Sequence, residues 1–131
     1  MENNKDMSAY RLEKAELCLR SAKIMIEQED YFTAANRSYY CIFHCMRSVL
    51  ALENIDFKKH SSIISYFREK YIKTKIFAND LSDIIGNLFR ERNKSDYDDF
   101  YVINKKEAIE QVENAEYFMS QIKIYLDNQD N

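Results

Sequence analysis

Asn36-Arg37-Ser38-Tyr39-Tyr40-Cys41-Ile42-Phe43-His44 lies in the middle of the most apolar stretch of the chain, and the reading of that stretch decides the fold. Between Asp30 and Glu53, the residues Phe32, Ala35, Tyr39, Phe43, Met46 and Leu50 recur at three- and four-residue steps. That is the period of an α-helix burying one face. Tyr40, Ile42 and Val49 widen the face, so the segment predicts a central helix enclosed by others, with Asp30 able to cap it. A strip of different chemistry runs along the same helix: Arg37, Tyr40, His44 and Arg47, spaced three, four and three, with Asn36 beside them.

Outward from this helix the same period recurs. A first helix is expected from about Ser8 to Glu29, striped by Leu12, Ala15, Leu19, Ala22 and Ile26. Asn54-Ile55-Asp56-Phe57 supplies turn residues, and a shorter third helix follows from about His60 to Tyr71. A fourth starts near Asn79-Asp80 and carries Leu81, Ile84, Ile85, Leu88 and Phe89, its end blurred by Lys94 to Asp98. The last opens on Asn104-Lys105-Lys106-Glu107, a capping-box spacing, and shows the cleanest seam: Ala108, Val112, Ala115, Met119, Ile122 and Leu126. Proline is absent and glycine occurs once, at Gly86, which disfavours turn-rich sheet folds. The expectation is an all-α, up-and-down helical bundle of four long helices plus a shorter one. It forms a single domain over 1–131, with 1–7 and 127–131 as frayed tails.

Nineteen basic against 22 acidic residues give a net charge of −3, so the chain as a whole does not attract nucleic acid. Lys58 to Lys75 nevertheless holds six Lys or Arg against Glu69 alone. That run is a solvated helix face or a local basic surface. Three cysteines, Cys18, Cys41 and Cys45, suit buried reduced thiols and a cytoplasmic location. Charge interrupts every apolar run, so no membrane span is expected, and the N-terminus has no signal-peptide pattern. Cys41, His44 and Cys45 share one helix and cannot converge tetrahedrally, so no metal is expected. One glycine builds neither a phosphate-binding loop nor a dinucleotide fingerprint, and no cofactor is expected.

Arg92 draws attention on phase alone. Leu81, Ile85, Leu88 and Arg92 step by four, three and four, which puts a permanent cation on an apolar stripe. It must be paired, for which Asp96, Asp98 and Asp99 are candidates, or face a cleft or partner. Asn93, Ser95 and Asp96 can hydrogen-bond a phosphate or ribose, and equally can cap the fourth helix. His44 reads first as a hydrogen-bonded core histidine and second as a general base. Lys58-Lys59-His60 reads as a helix cap or as a phosphate-docking N-terminus.

The run Arg37-Ser38-Tyr39-Tyr40-Cys41-Ile42-Phe43-His44, the segment Lys58-Lys59-His60, and Arg92-Asn93-Lys94-Ser95-Asp96-Tyr97 together resemble HEPN domains (higher eukaryotes and prokaryotes nucleotide-binding). The similarity spans about Ser8 to Leu126 and is greatest to small stand-alone prokaryotic members. In catalytic members an Arg is followed by a polar residue and, after four to six residues, by a His. Arg92 and Asn93 match; Tyr97 occupies the first His slot, and no His follows His60. Imidazole suits acid–base work near neutral pH, whereas a phenol with a pKa of about 10 does not. Tyr97 could still stack on a base or hydrogen-bond a phosphate. Asp99 stands where such toxins carry a tyrosine modified by their partner, which leaves Tyr97 or Tyr101 for that part.

The resemblance implies a homodimer with Arg92 in a cleft at the dimer interface. It also implies a protein that binds RNA or nucleotide, paired toxin–antitoxin fashion with a minimal nucleotidyltransferase. The binding residues would be Arg37, Tyr40, His44, Arg92, Asn93, Ser95, Asp96 and Tyr97. Without the motif histidine, robust nuclease activity is not expected. One alternative is an active metal-independent endoribonuclease using His44 or His60. The other is a purely structural interaction module.

Overall fold

A computed structural model describes residues 2–97 and 102–129, and every regular element among them is helical. Helix α1 spans Glu2–Glu27, α2 Tyr31–Ala51, α3 His60–Phe67, α4 Asp80–Tyr97 and α5 Lys105–Gln129. A single π-helical turn, Arg68–Ile72, extends α3. This is the expected all-α bundle of four long helices and one short one.

Helix α2 is the centre of the bundle and packs on α1, α3, α4 and α5. Twelve of its residues are buried, among them Tyr39, Cys41, Phe43, Met46 and Leu50. Ala15, Ala22, Ala34 and Ala115 are wholly buried where α1, α2 and α5 meet. At the far end Phe67 fills the core against Tyr71, Phe77 and Phe118, with ring centroids 5.6, 5.4 and 5.9 Å away. The Tyr71 hydroxyl donates to the Glu53 carboxylate, so this buried phenol has its partner. The lone glycine lies on α4: a Cβ at Gly86 would sit 3.3 Å from the Arg68 guanidinium, which donates to the Ser82 carbonyl at 3.0 Å.

Three boundaries differ from the sequence reading. The segment 2–7 is helical, because its first turns dock: Asn4 donates to the Leu52 carbonyl at 3.4 Å and Ser8 is buried. Helix α5 continues past Leu126 to Gln129. Helix α4 runs on through Asn93, Ser95 and Asp96 to Tyr97, so these residues lie within it and do not close it early. Asp98, Asp99 and Tyr101 lie outside the described residues. No described helix is long and apolar enough to cross a membrane.

The turns manage without glycine. Asp30 accepts from the Thr33 N–H at 3.1 Å and so caps α2, as expected. Its own N–H bonds the Met25 carbonyl while Glu29 N–H bonds that of Ile26, a Schellman closure of α1 with Glu29 in the left-handed region at φ 61°. Asn54, at φ 58°, ends α2 in the same way, with Ile55 N–H on the Leu50 carbonyl. Asn104 and Glu107 form the expected box: the Glu107 N–H donates to Asn104 Oδ1 at 2.8 Å, and the Asn104 amide returns a bond to the Glu107 carboxylate.

Left-handed backbone costs an L-residue about 1 kcal/mol, little for Asn and nothing for Gly. Glu29→Gly is therefore expected to raise the unfolding free energy by roughly that amount in urea titrations, and Asn54→Gly to change it less. Destabilisation by Glu29→Gly would show that the glutamate side chain repays the strain.

Candidate functional site

Three helices meet at Arg92. The buried stripe of α4, Leu81, Ile85 and Leu88, seats that helix on the core. Arg92, next on the stripe, is thereby brought half-buried onto α2. Its guanidinium carbon lies 4.6 Å from the ring centre of Tyr39 and 5.4 Å from that of Tyr40. One terminal nitrogen donates to the Tyr40 hydroxyl at 3.3 Å. The other reaches Nδ1 of His60 at 3.3 Å.

His60 arrives from elsewhere, as the first residue of α3. Its ring lies 4.0 Å from that of Phe43, and the Tyr39 hydroxyl is 3.1 Å from Nδ1. A guanidinium only donates, so Nδ1 must be the bare nitrogen, and the neutral ring carries its proton on Nε2. Burial lowers the pKa of His60 below the ordinary 6.5, and Arg92 and then Arg47 lower it further. Cation and neutral imidazole are therefore compatible neighbours. His60 also borders a surface groove with Arg47, Asp56 and Lys58.

The polar strip of α2 divides between two places. Arg37 is tied to Asn36 Oδ1 at 2.7 and 3.2 Å and lies 5.2 Å from the Tyr40 ring centre, so two guanidinium groups adjoin the Tyr40 ring. Arg47 forks onto Asp56 at 2.9 and 3.2 Å, and Arg11 adds a third bond at 3.3 Å. His44 is half-buried against the rings of Tyr40 and Phe43, and its Nδ1 finds no hydrogen-bond partner among the described residues. Burial, and then Arg47, Lys14, Arg11 and Arg37, lower its pKa to about 4. The core hydrogen bond read for His44 from sequence is not made at that nitrogen.

Of the other candidates, Asn93 is exposed on α4. Ser95, Asp96 and Tyr97 have helical backbone, and their side chains lie outside the described residues. Spacing missed Tyr39 and Phe43 as parts of the site, because both fall on the core stripe of α2. The signal that held them was the paired Tyr39-Tyr40. Among the described residues no group of His, Cys, Asp or Glu side chains gathers as metal ligands would.

A family model described as the HEPN domain matches residues 8–125. Two proteins of Methanocaldococcus jannaschii that carry the name "putative toxin" are each 32% identical to this chain. One aligns over 88% of this chain and 78% of its own length, the other over 86% and 83%. A protein of Thermotoga maritima named UPF0332 is 25% identical over 94% of this chain and 93% of its own.

Both imidazoles are held neutral in the fold, whereas in the unfolded chain each takes up a proton near pH 6.5. The unfolded state then binds more protons, so stability is greatest above pH 6.5 and falls as pH drops toward 4. NMR titration of the two histidines is expected to give both midpoints below 6.5, with that of His44 at about 4. His44→Gln should flatten the fall in unfolding free energy between pH 7 and 5; an unchanged slope would contradict the assignment.

Proposed function

The chain belongs to the HEPN domain family, and from that premise we propose that it is a toxin-type protein whose Arg92 cleft binds RNA or nucleotide through phosphate. In this reading it works in the cytoplasm as one member of a toxin–antitoxin-type pair, with a nucleotidyltransferase as the other. It holds its ligand without rapid cleavage. The observation that carries the reading is the Arg92 guanidinium laid across Tyr39 and Tyr40 with its nitrogens at His60 and Tyr40. A planar fork of donors matches the oxygens of a phosphodiester, and partial burial strengthens each bond. The name carried by two relatives supports the toxin part, and three buried free thiols accord with a reducing compartment.

One contact favours a second reading, in which the bound RNA is cut. His60 Nδ1 is the imidazole nitrogen within hydrogen-bond reach of Arg92. A phosphate that took over the Arg92 nitrogen, with the Tyr39 hydroxyl turned toward the same phosphate, would release Nδ1 to accept a proton. His60 would then deprotonate the ribose 2′-hydroxyl as its oxygen attacks phosphorus. The 5′-oxygen would leave with a proton from water, giving a 2′,3′-cyclic phosphate and a 5′-hydroxyl. His44 has no comparable claim, as its contacts are to rings.

Binding and cleavage of RNA by the purified protein are to be measured separately. Charge-assisted bonds of this kind contribute about 1.5–3 kcal/mol, so Arg92→Ala should weaken binding roughly 10- to 100-fold. Affinity should also fall steeply with salt. Equal binding by Arg92→Ala would overturn the cleft assignment. Cleavage that His60→Gln abolishes while binding survives would replace the first reading by the second.

A further inference from the structure

Two side chains beside Arg92 depart from the pattern that the rest of the core follows. Gln111, on α5, is 3% exposed, and its amide makes no hydrogen bond among the described residues. Ser38 and Ser48, which are also buried, each bond a carbonyl of their own helix, at 2.9 and 2.6 Å. Phe32, which the period of α2 puts on its buried face, is 53% exposed, with no ring or cation laid against it among the described residues. Both line one narrow pocket, together with Asn36, Leu88, Glu91 and Arg92. The space inside has room for a single water-sized group. An unmatched buried amide is unfavourable in the protein alone, and conflicts between pattern and structure gather where something is bound.

We infer that this pocket selects a nucleobase by its exocyclic amino group while Arg92 holds a phosphate, an inference that rests on the Arg92 reading proposed above. A whole ring does not fit inside. One amino group does, with the ring at the mouth against Phe32, since any base can stack on an exposed aromatic face. The lining is rich in oxygen acceptors. The Gln111 amide oxygen is unused, and Asn36 Oδ1 already draws Arg37 at 2.7 and 3.2 Å. The Glu91 carboxylate, 17% exposed, is loosely paired with Lys94 at 3.7 Å and keeps lone pairs to spare. The terminal nitrogens of Arg92 are directed instead to His60 and Tyr40. An amino group brings two hydrogens to such a lining, whereas a keto oxygen of uracil would face the carboxylate's lone pairs. Side-chain amides and carboxylates are the groups that recognise the amino edges of adenine and cytosine. Asn36 and Tyr40 are one helical turn apart on α2, so a phosphate over Tyr40 and a base beside Asn36 suit one nucleotide or two neighbours.

Fluorescence anisotropy of the whole protein with short labelled homo-oligoribonucleotides tests the inference. Oligoadenylate and oligocytidylate should bind roughly five- to tenfold more tightly than oligouridylate. An oligomer of purine riboside, which is oligoadenylate without its amino groups, should lose the same factor relative to oligoadenylate. Gln111→Leu should remove the preference and raise the thermal unfolding temperature, because an apolar side chain of similar size replaces an unmatched amide. Phe32→Ala should weaken all four oligomers alike, roughly fivefold or more. Purine riboside bound as well as adenylate would overturn the inference, and so would a Gln111→Leu variant that keeps the preference, its amide then having only water to hold. If Arg92→Ala weakens every oligomer while the unmodified chain prefers none, the cleft stands and the pocket reading falls. If the unmodified chain binds none of the four, both fall.

Discussion

A helix that is apolar around most of its circumference has to be enclosed, and α2 is such a helix. Its burial draws α1, α5, α3 and α4 around it. A polar group left on α2 is stabilised by a partner in the seams between helices, because an unmatched buried polar atom, such as His44 Nδ1, costs about 1–3 kcal/mol. Tyr39 and Tyr40 meet that demand differently: one gives its hydroxyl to an imidazole, the other accepts from a guanidinium. Tyr39 and Phe43 belong to the core and to the candidate site at once, so the two adjoin along one helix.

Arg92 and His60 complete the arrangement from opposite directions. Helix α4 delivers a cation that cannot discharge, and α3 delivers a ring whose surroundings keep it neutral. Were the imidazole protonated, two positive charges would face each other about 3.3 Å apart in a partly dry seam. Lowering the His60 pKa and holding Arg92 in place are thus one electrostatic condition. The arginine's imidazole neighbour comes from the start of α3 and not from the residues that follow it on α4.

What was legible in the sequence was whatever depends on local spacing. The buried stripes, the Asp30 cap and the Asn104–Glu107 box follow from neighbours three or four residues apart, and each is present except at Phe32, which the period puts on the buried face of α2 but which is exposed in the first turn of that helix. Arg92 as a cation on an apolar stripe was legible for the same reason. Its company was not: His60 is 32 positions away, and its approach depends on how α3 lands on α2. Periodicity assigns Tyr39 to the core because it registers the ring and not the hydroxyl at its rim. The polar run around Asn93, Ser95 and Asp96 suggested a helix end, yet propensity is a weak prior and α4 continues through it. The polar composition of residues 2–7 predicts a frayed end, since sequence cannot reveal that the C-terminal end of α2 offers them a dock.

The choice of nitrogen on His60 has a consequence for selectivity. With Nδ1 turned inward to Arg92 and Tyr39, the one imidazole position left for an incoming molecule bears hydrogen. The guanidinium likewise has hydrogens alone to offer, and the Tyr40 hydroxyl, already accepting from Arg92, has its proton to give. Donors predominate on these three groups, while acceptors stand further out, on Asn36, Glu91 and Gln111 in the pocket beside Arg92 and on Asp56 in the groove beside His60. At the three groups themselves a partner rich in lone pairs is matched better than an amide or alcohol that needs an acceptor in return. In a protein whose overall charge repels anions, such one-sided polarity can discriminate at close range where long-range attraction is lacking.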